Sequence, residues 1–139
     1  MKILIVVPTL KKSGGLERVA AIIANDLAIQ KNTEITIVSL NSSYSFYHIN
    51  DVVQVIGFDY LRKNKLFKLI PLFVWFLFKL NQQKPNKILS FGEGHNSFVI
   101  AACRFLSYKD IFVFNRASPL SSLDGVRGFL NPFFYKYTK

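Results

Sequence analysis

Ser13-Gly14-Gly15-Leu16-Glu17-Arg18-Val19 is the stretch of this chain best suited to chemistry. Two adjacent glycines carry no Cβ, so the backbone there can approach a guest closely, and a helix opening beside them presents unpaired N–H groups and a partial positive charge. An anion, phosphate above all, is the guest such a turn favours. The spacing is neither G-x-G-x-x-G nor G-x-x-x-x-G-K-[ST], because no third glycine or suitably placed lysine follows. Gly14 and Gly15 are therefore candidate ligand-binding residues, with a plain strand-to-helix connection as the competing reading. Glu17 in the first helical turn suits the positive helix end, whereas Arg18 opposes it and calls for a carboxylate partner; either could be structural or ligand-binding. Ser13 forms no capping box, since the residue three positions on is Leu16.

Two further clusters have the right residue types. Gly92-Glu93-Gly94-His95-Asn96 offers an acid or base near neutral pH in His95, a carboxylate in Glu93, and in Asn96 either a ligand contact or the cap of a following helix. Asn115-Arg116-Ala117-Ser118-Pro119 offers the Arg116 guanidinium, which can clamp a phosphate or carboxylate in bidentate fashion or form a surface salt bridge.

These clusters need a scaffold, and the apolar pattern supplies one. Lys2–Pro8 is a continuous apolar run of the kind buried on both faces of a parallel sheet. Leu16, Val19, Ala20, Ile23 and Leu27 then form one helical stripe, and Asn32 offers a stop. Further strands are read at 34–40, 52–56, 87–91 and 111–114, with helices at about 66–82 and 96–107. Alternating strands and helices predict an α/β, doubly wound, mostly parallel sheet, in which ligands bind beyond the carboxyl ends of the strands. All three clusters follow strand ends, so the fold should gather Gly14, Gly15, Glu17, Arg18, Glu93, His95, Asn96 and Arg116 into one crevice.

Composition narrows the partners. With 139 residues, half of them hydrophobic, the chain can bury one substantial core. Eighteen Lys and Arg against eight Asp and Glu give a net charge of +10, which favours an anionic partner such as a membrane surface or a phosphorylated ligand. Zinc-finger spacing, an RNP-like motif and a helix-turn-helix are all missing, which argues against nucleic acid. Cys103, the single cysteine, excludes an internal disulfide and reads as a small buried thiol. The apolar run before Pro8 is too short for a signal-peptide core, so a cytoplasmic location is expected.

The segment 65–80 is apolar on nearly every side. At about 1.5 Å per residue it would reach about 24 Å, short of a ~30 Å hydrocarbon core. A buried crossover helix is one reading. The other is a helix lying in the membrane interface with Lys68, Leu72, Trp75 and Lys79 on the lipid side, aided by Arg62, Lys63, Lys65, Lys84 and Lys87. Pro71 favours a helix starting near Ile70.

The run Gly14-Gly15-Leu16-Glu17-Arg18-Val19, preceded by its strand and followed by Ala20–Ala28, resembles the Gly-Gly-x-Glu-Arg-Val opening of family 4 glycosyltransferases. The likeness is close over residues 1–30 and looser through residue 118; Ser90-Phe91 with Asn96 fits the family pattern, whereas Asn115 stands where Glu is common. The resemblance implies that residues 1–139 are the Rossmann-like N-terminal, acceptor-side half of a GT-B enzyme, incomplete at its C-terminal end and without the donor-binding domain. It further implies a cytoplasmic protein peripheral to the inner face of the cell membrane, working without a cofactor or essential metal. The partners implied are a nucleotide-sugar diphosphate, a lipid-linked or saccharide acceptor, an anionic membrane surface, and a separate donor-binding domain or chain. Gly14 and Gly15 would contact the diphosphate, and His95 would be the catalytic residue, able to bond a sugar hydroxyl. The alternatives are a non-catalytic membrane-docking subunit that recruits a catalytic chain, and an unrelated nucleotide-binding domain.

Overall fold

The computed structural model describes residues 1–59, 65–114 and 135–138. Its elements run β1 (Lys2–Val7), α1 (Gly15–Ala28), β2 (Glu34–Ser39), β3 (Gln54–Gly57), α2 (Lys65–Gln83), β4 (Lys87–Phe91), α3 (Glu93–Phe105) and β5 (Ile111–Phe114). The five strands form one sheet in the order β3-β2-β1-β4-β5, every pairing parallel. The predicted doubly wound α/β architecture is therefore what the chain adopts.

β1 is central because both its faces are apolar. Ile3, Ile5 and Val7 point to one core with Ala20 and Ala24 of α1 and with Ile35 and Ile37 of β2. Leu4 and Val6 point the other way, into a core shared with Leu72, Phe76 and Leu80 of α2 and Val99, Ile100 and Cys103 of α3. The two-residue period of a strand sorts alternate side chains between these two layers. Small alanines on α1 let it lie close to the sheet, while Phe76 and Leu80, both fully buried, fill the wider gap on the other side.

Several local expectations change. Val19 does not join the buried stripe of α1; it is 47% exposed, while Ala20, Ala21 and Ala24 take the core-facing positions. The strand expected from Val52 begins at Gln54. α2 starts at Lys65 and carries Pro71 inside it, where the ring removes one backbone donor from the helix ladder. Its proposed lipid-facing side is also reversed: Leu72 is buried and Trp75 packs against the core and the Phe58 ring, with centroids 5.0 Å apart. The exposed apolar face of α2 carries Leu69, Ile70, Val74 and Phe78 instead. Among the described residues no helix is long and apolar enough to cross a membrane.

Candidate functional site

β1 and β4 are neighbours at the centre of the sheet, paired with Val6 opposite Ser90. The chain leaves β1 through α1 towards one face and leaves β4 through α3 towards the other. The diverging connections open a crevice beyond the strand ends, the position where doubly wound sheets place ligands. A cavity of about 670 Å³ lies there. Its walls include the Gly14–Gly15 backbone, Glu17, Val19 and the rings of Phe91 and Phe114, which end the adjacent strands β4 and β5.

The first turn is anchored from outside. The Phe46 amide donates to the Leu10 carbonyl at 2.9 Å and the Tyr47 hydroxyl to the Ser13 carbonyl at 2.9 Å, so the loop after β2 holds the glycines in place. Gly14 is the N-cap of α1, with extended backbone and no side-chain cap. A methyl group on Gly14 would collide with the Glu17 carboxylate, which folds back against it. A methyl on Gly15 would meet nothing within 4 Å. Glu17 is buried, at 8% exposure, and its carboxylate has no hydrogen-bond or ion-pair partner among the described residues. Arg18 is exposed, and the carboxylate partner expected for it is not found among the described residues.

The second turn differs from the sequence-based reading. α3 begins at Glu93 rather than at 96, because Gly92 alone makes the bend, with φ 104° and ψ 105°. Gly92 is buried against the first turn: a Cβ there would lie 2.6 Å from Pro8 Cγ and 3.6 Å from Leu16 Cδ1. Glu93 is therefore the first helical residue, where a carboxylate is favourable, and it is half-buried. His95 sits in the first turn of α3, its amide donating to the Gly92 carbonyl at 2.9 Å, and is also half-buried. Asn96 does not cap the helix. It is fully buried, and its Oδ1 accepts a 2.7 Å hydrogen bond from Ser90 Oγ, tying α3 to β4.

The structure thus brings Gly14, Gly15 and Glu17 onto one cavity, and places Glu93, His95 and Asn96 on the helix that starts beside it. Arg116 lies outside the described residues. Sequence reasoning missed Phe91 and Phe114 as walls of the cavity. The two phenylalanines stack with centroids 4.7 Å apart and planes 8° from parallel. Their signal was available, since each is the last residue of its strand and so falls at the ligand-binding edge.

Cys103 carries no chemistry here: burial pushes its thiol up to about 12, leaving the unreactive protonated form. Among the described residues no group of three or more His, Cys, Asp or Glu is placed to hold a metal ion. Neither family models nor curated proteins give a match to the chain.

Proposed function

We propose that this chain is the acceptor-side domain of a GT-B glycosyltransferase resembling family 4, serving transfer of a sugar from a nucleotide-sugar to a lipid-linked or polysaccharide acceptor in bacterial cell-surface glycan synthesis. One observation carries the reading: Gly15 opens onto the switch-point cavity although nothing in the described fold needs a glycine there. Replacing glycine by alanine where the backbone conformation is open to both normally stabilises a chain by about 0.4–1 kcal/mol, so the missing Cβ of Gly15 is better explained by a guest than by packing. The Gly15 side of the turn offers amide hydrogens to the departing diphosphate, a preorganised form of charge stabilisation. His95, in the first turn of α3, and Arg116 would orient acceptor and phosphate. The donor-binding half belongs to a second domain or chain, so the 139 residues alone should turn over nucleotide-sugar no faster than buffer. Supplying a donor-binding domain, fused to this one or as a separate polypeptide, should produce transfer. Robust turnover by the 139 residues alone, or none after complementation, would sink the proposal.

A second reading, membrane docking that recruits a catalytic chain, draws on α2. Leu69, Ile70, Val74 and Phe78 leave an apolar face exposed on a protein of net charge +10. Such a face suits the headgroup boundary of an anionic bilayer, where each nearby basic residue adds about 1 kcal/mol. Co-sedimentation with phosphatidylglycerol vesicles, and its loss in Phe78→Glu, is the expected result; equal recovery with and without vesicles would remove the membrane from this picture.

A further inference from the structure

Glu17 is the feature that the proposed function does not use. The residue is more than nine-tenths buried and lines the cavity, and its carboxylate finds no donor among the described residues. Buried carboxylates are normally hydrogen-bonded, because taking a charge from water without compensation is costly. The missing donors are therefore expected from a guest. A phosphate cannot supply them; a second negative charge beside Glu17 in a poorly screened pocket would be repelled. The other walls are apolar: Val19 is 47% exposed, and Phe114, 43% exposed, is backed by the parallel ring of Phe91.

We infer that this cavity is a pyranose subsite, in which Glu17 accepts hydrogen bonds from sugar hydroxyls while the C–H face of the same ring lies against Phe114. A sugar ring has this dual character, with donors at its edge and an apolar face. The volume falls within the ~300–1,000 Å³ usual for small-ligand sites. The inference rests on the glycosyl-transfer reading for its choice of a sugar over other hydroxyl-bearing guests. It deepens that reading by assigning the cavity interior to the saccharide and leaving phosphate to the Gly15 side.

The test is ligand-observed NMR on the full chain with methyl glycosides of glucose, galactose, mannose and N-acetylglucosamine, with UDP and hexylammonium in parallel. At least one glycoside should bind with millimolar affinity. Glu17→Gln should weaken it about tenfold, the scale of one lost charge-assisted hydrogen bond, and Phe114→Leu severalfold. Gly14→Ala, which keeps the charge but puts a methyl where the carboxylate lies, should weaken it as well and serves if Glu17→Gln does not fold. Failure of every glycoside, unchanged affinity in these variants, displacement of the sugar by hexylammonium, or UDP binding that competes with the sugar and strengthens in Glu17→Gln would each overturn the subsite. Sugar binding requires no donor domain, so the two ideas fail separately. Glycoside binding through Glu17 without transfer after complementation removes only the glycosyltransferase; transfer with an unchanged acceptor KM in Glu17→Gln removes only the subsite.

Discussion

β1 hands over to α1 through the seven residues 8–14, and β4 hands over to α3 through Gly92 alone. Both helices start from a glycine N-cap with no side-chain cap bond, yet the two glycines are used in opposite ways. The one-residue link must reverse the chain at a single position, so Gly92 takes φ 104° and packs its α-carbon against Pro8. The longer link spreads its bend, and Gly14 sits at an ordinary φ of −78° and ψ of 163° that any residue adopts. Glycine in the short turn is demanded by the fold. In the long turn the backbone makes no such demand: only the movable Glu17 carboxylate opposes a side chain at Gly14 and nothing opposes one at Gly15, so the backbone there is free to serve a ligand.

The strongest test of how firmly the short turn seats α3 uses Cys103, which lies on that helix. Burial raises its thiol from the ordinary 9.0 to about 12, so at pH 8 its thiolate population is about a thousandfold below that of the unfolded chain. Labelling by a thiol-specific disulfide reagent should be slower by at least that factor in the native protein than in urea. The sign of the pH dependence follows. Between pH 9 and about 12 the folded state retains a proton the unfolded state has released, so stability is flat below 9 and falls above it by roughly 1.4 kcal/mol per pH unit. Tyr108, raised by burial and by Cys103, acts in the same direction. Fast labelling of the native thiol at pH 8 would show that α3 is not seated as described.

Gly92→Ala should be the next largest effect. A side chain at φ 104° is strained by about 1–3 kcal/mol, and its methyl must also displace the Pro8 ring from 2.6 Å. Together these predict a loss of about 3 kcal/mol in urea unfolding, with faster Cys103 labelling as α3 loosens. A loss below about 1 kcal/mol would mean that the turn can be rebuilt without glycine, and the contrast between the two turns would disappear.

The same contrast explains what could be read from the sequence. β1, β4 and β5 are legible to within a residue because each is a compact apolar run bounded by polar or turn residues, and the alternation with helices leaves few arrangements besides a doubly wound sheet. Asn32 stops the α1 region with φ 63°, as its residue type suggests. The start of α3 was not legible: Gly-Glu-Gly-His-Asn reads as loop by composition, and only the tertiary contact with Pro8 makes one residue sufficient for the bend. Nor could periodicity orient α2, since a helix apolar all round offers no stripe; the sheet selects Leu72, Phe76 and Leu80, and leaves Ile70, Val74 and Phe78 outside. In the candidate site the glycines were visible as a motif. The unpartnered state of Glu17 was not, because it depends on which side chains surround the carboxylate.

Gly15→Ala is the smallest effect in stability and sharpens the comparison most. The new methyl has open space on every side within 4 Å and sits in the first turn of α1, where alanine is the better helix former. Unfolding should therefore shift towards greater stability, by no more than about 0.5–1 kcal/mol, opposite in sign to Gly92→Ala. Cys103 labelling should not change. Gly15 also lines the cavity, so a guest lying close to its backbone must make room for the methyl, and binding should weaken while the protein becomes more stable. That opposition is characteristic of a residue retained for function against the preference of the fold. If Gly15→Ala destabilised the chain as Gly92→Ala does, the glycine would belong to the fold after all; if it stabilised the chain and left every ligand bound as before, the cavity would lose its strongest support.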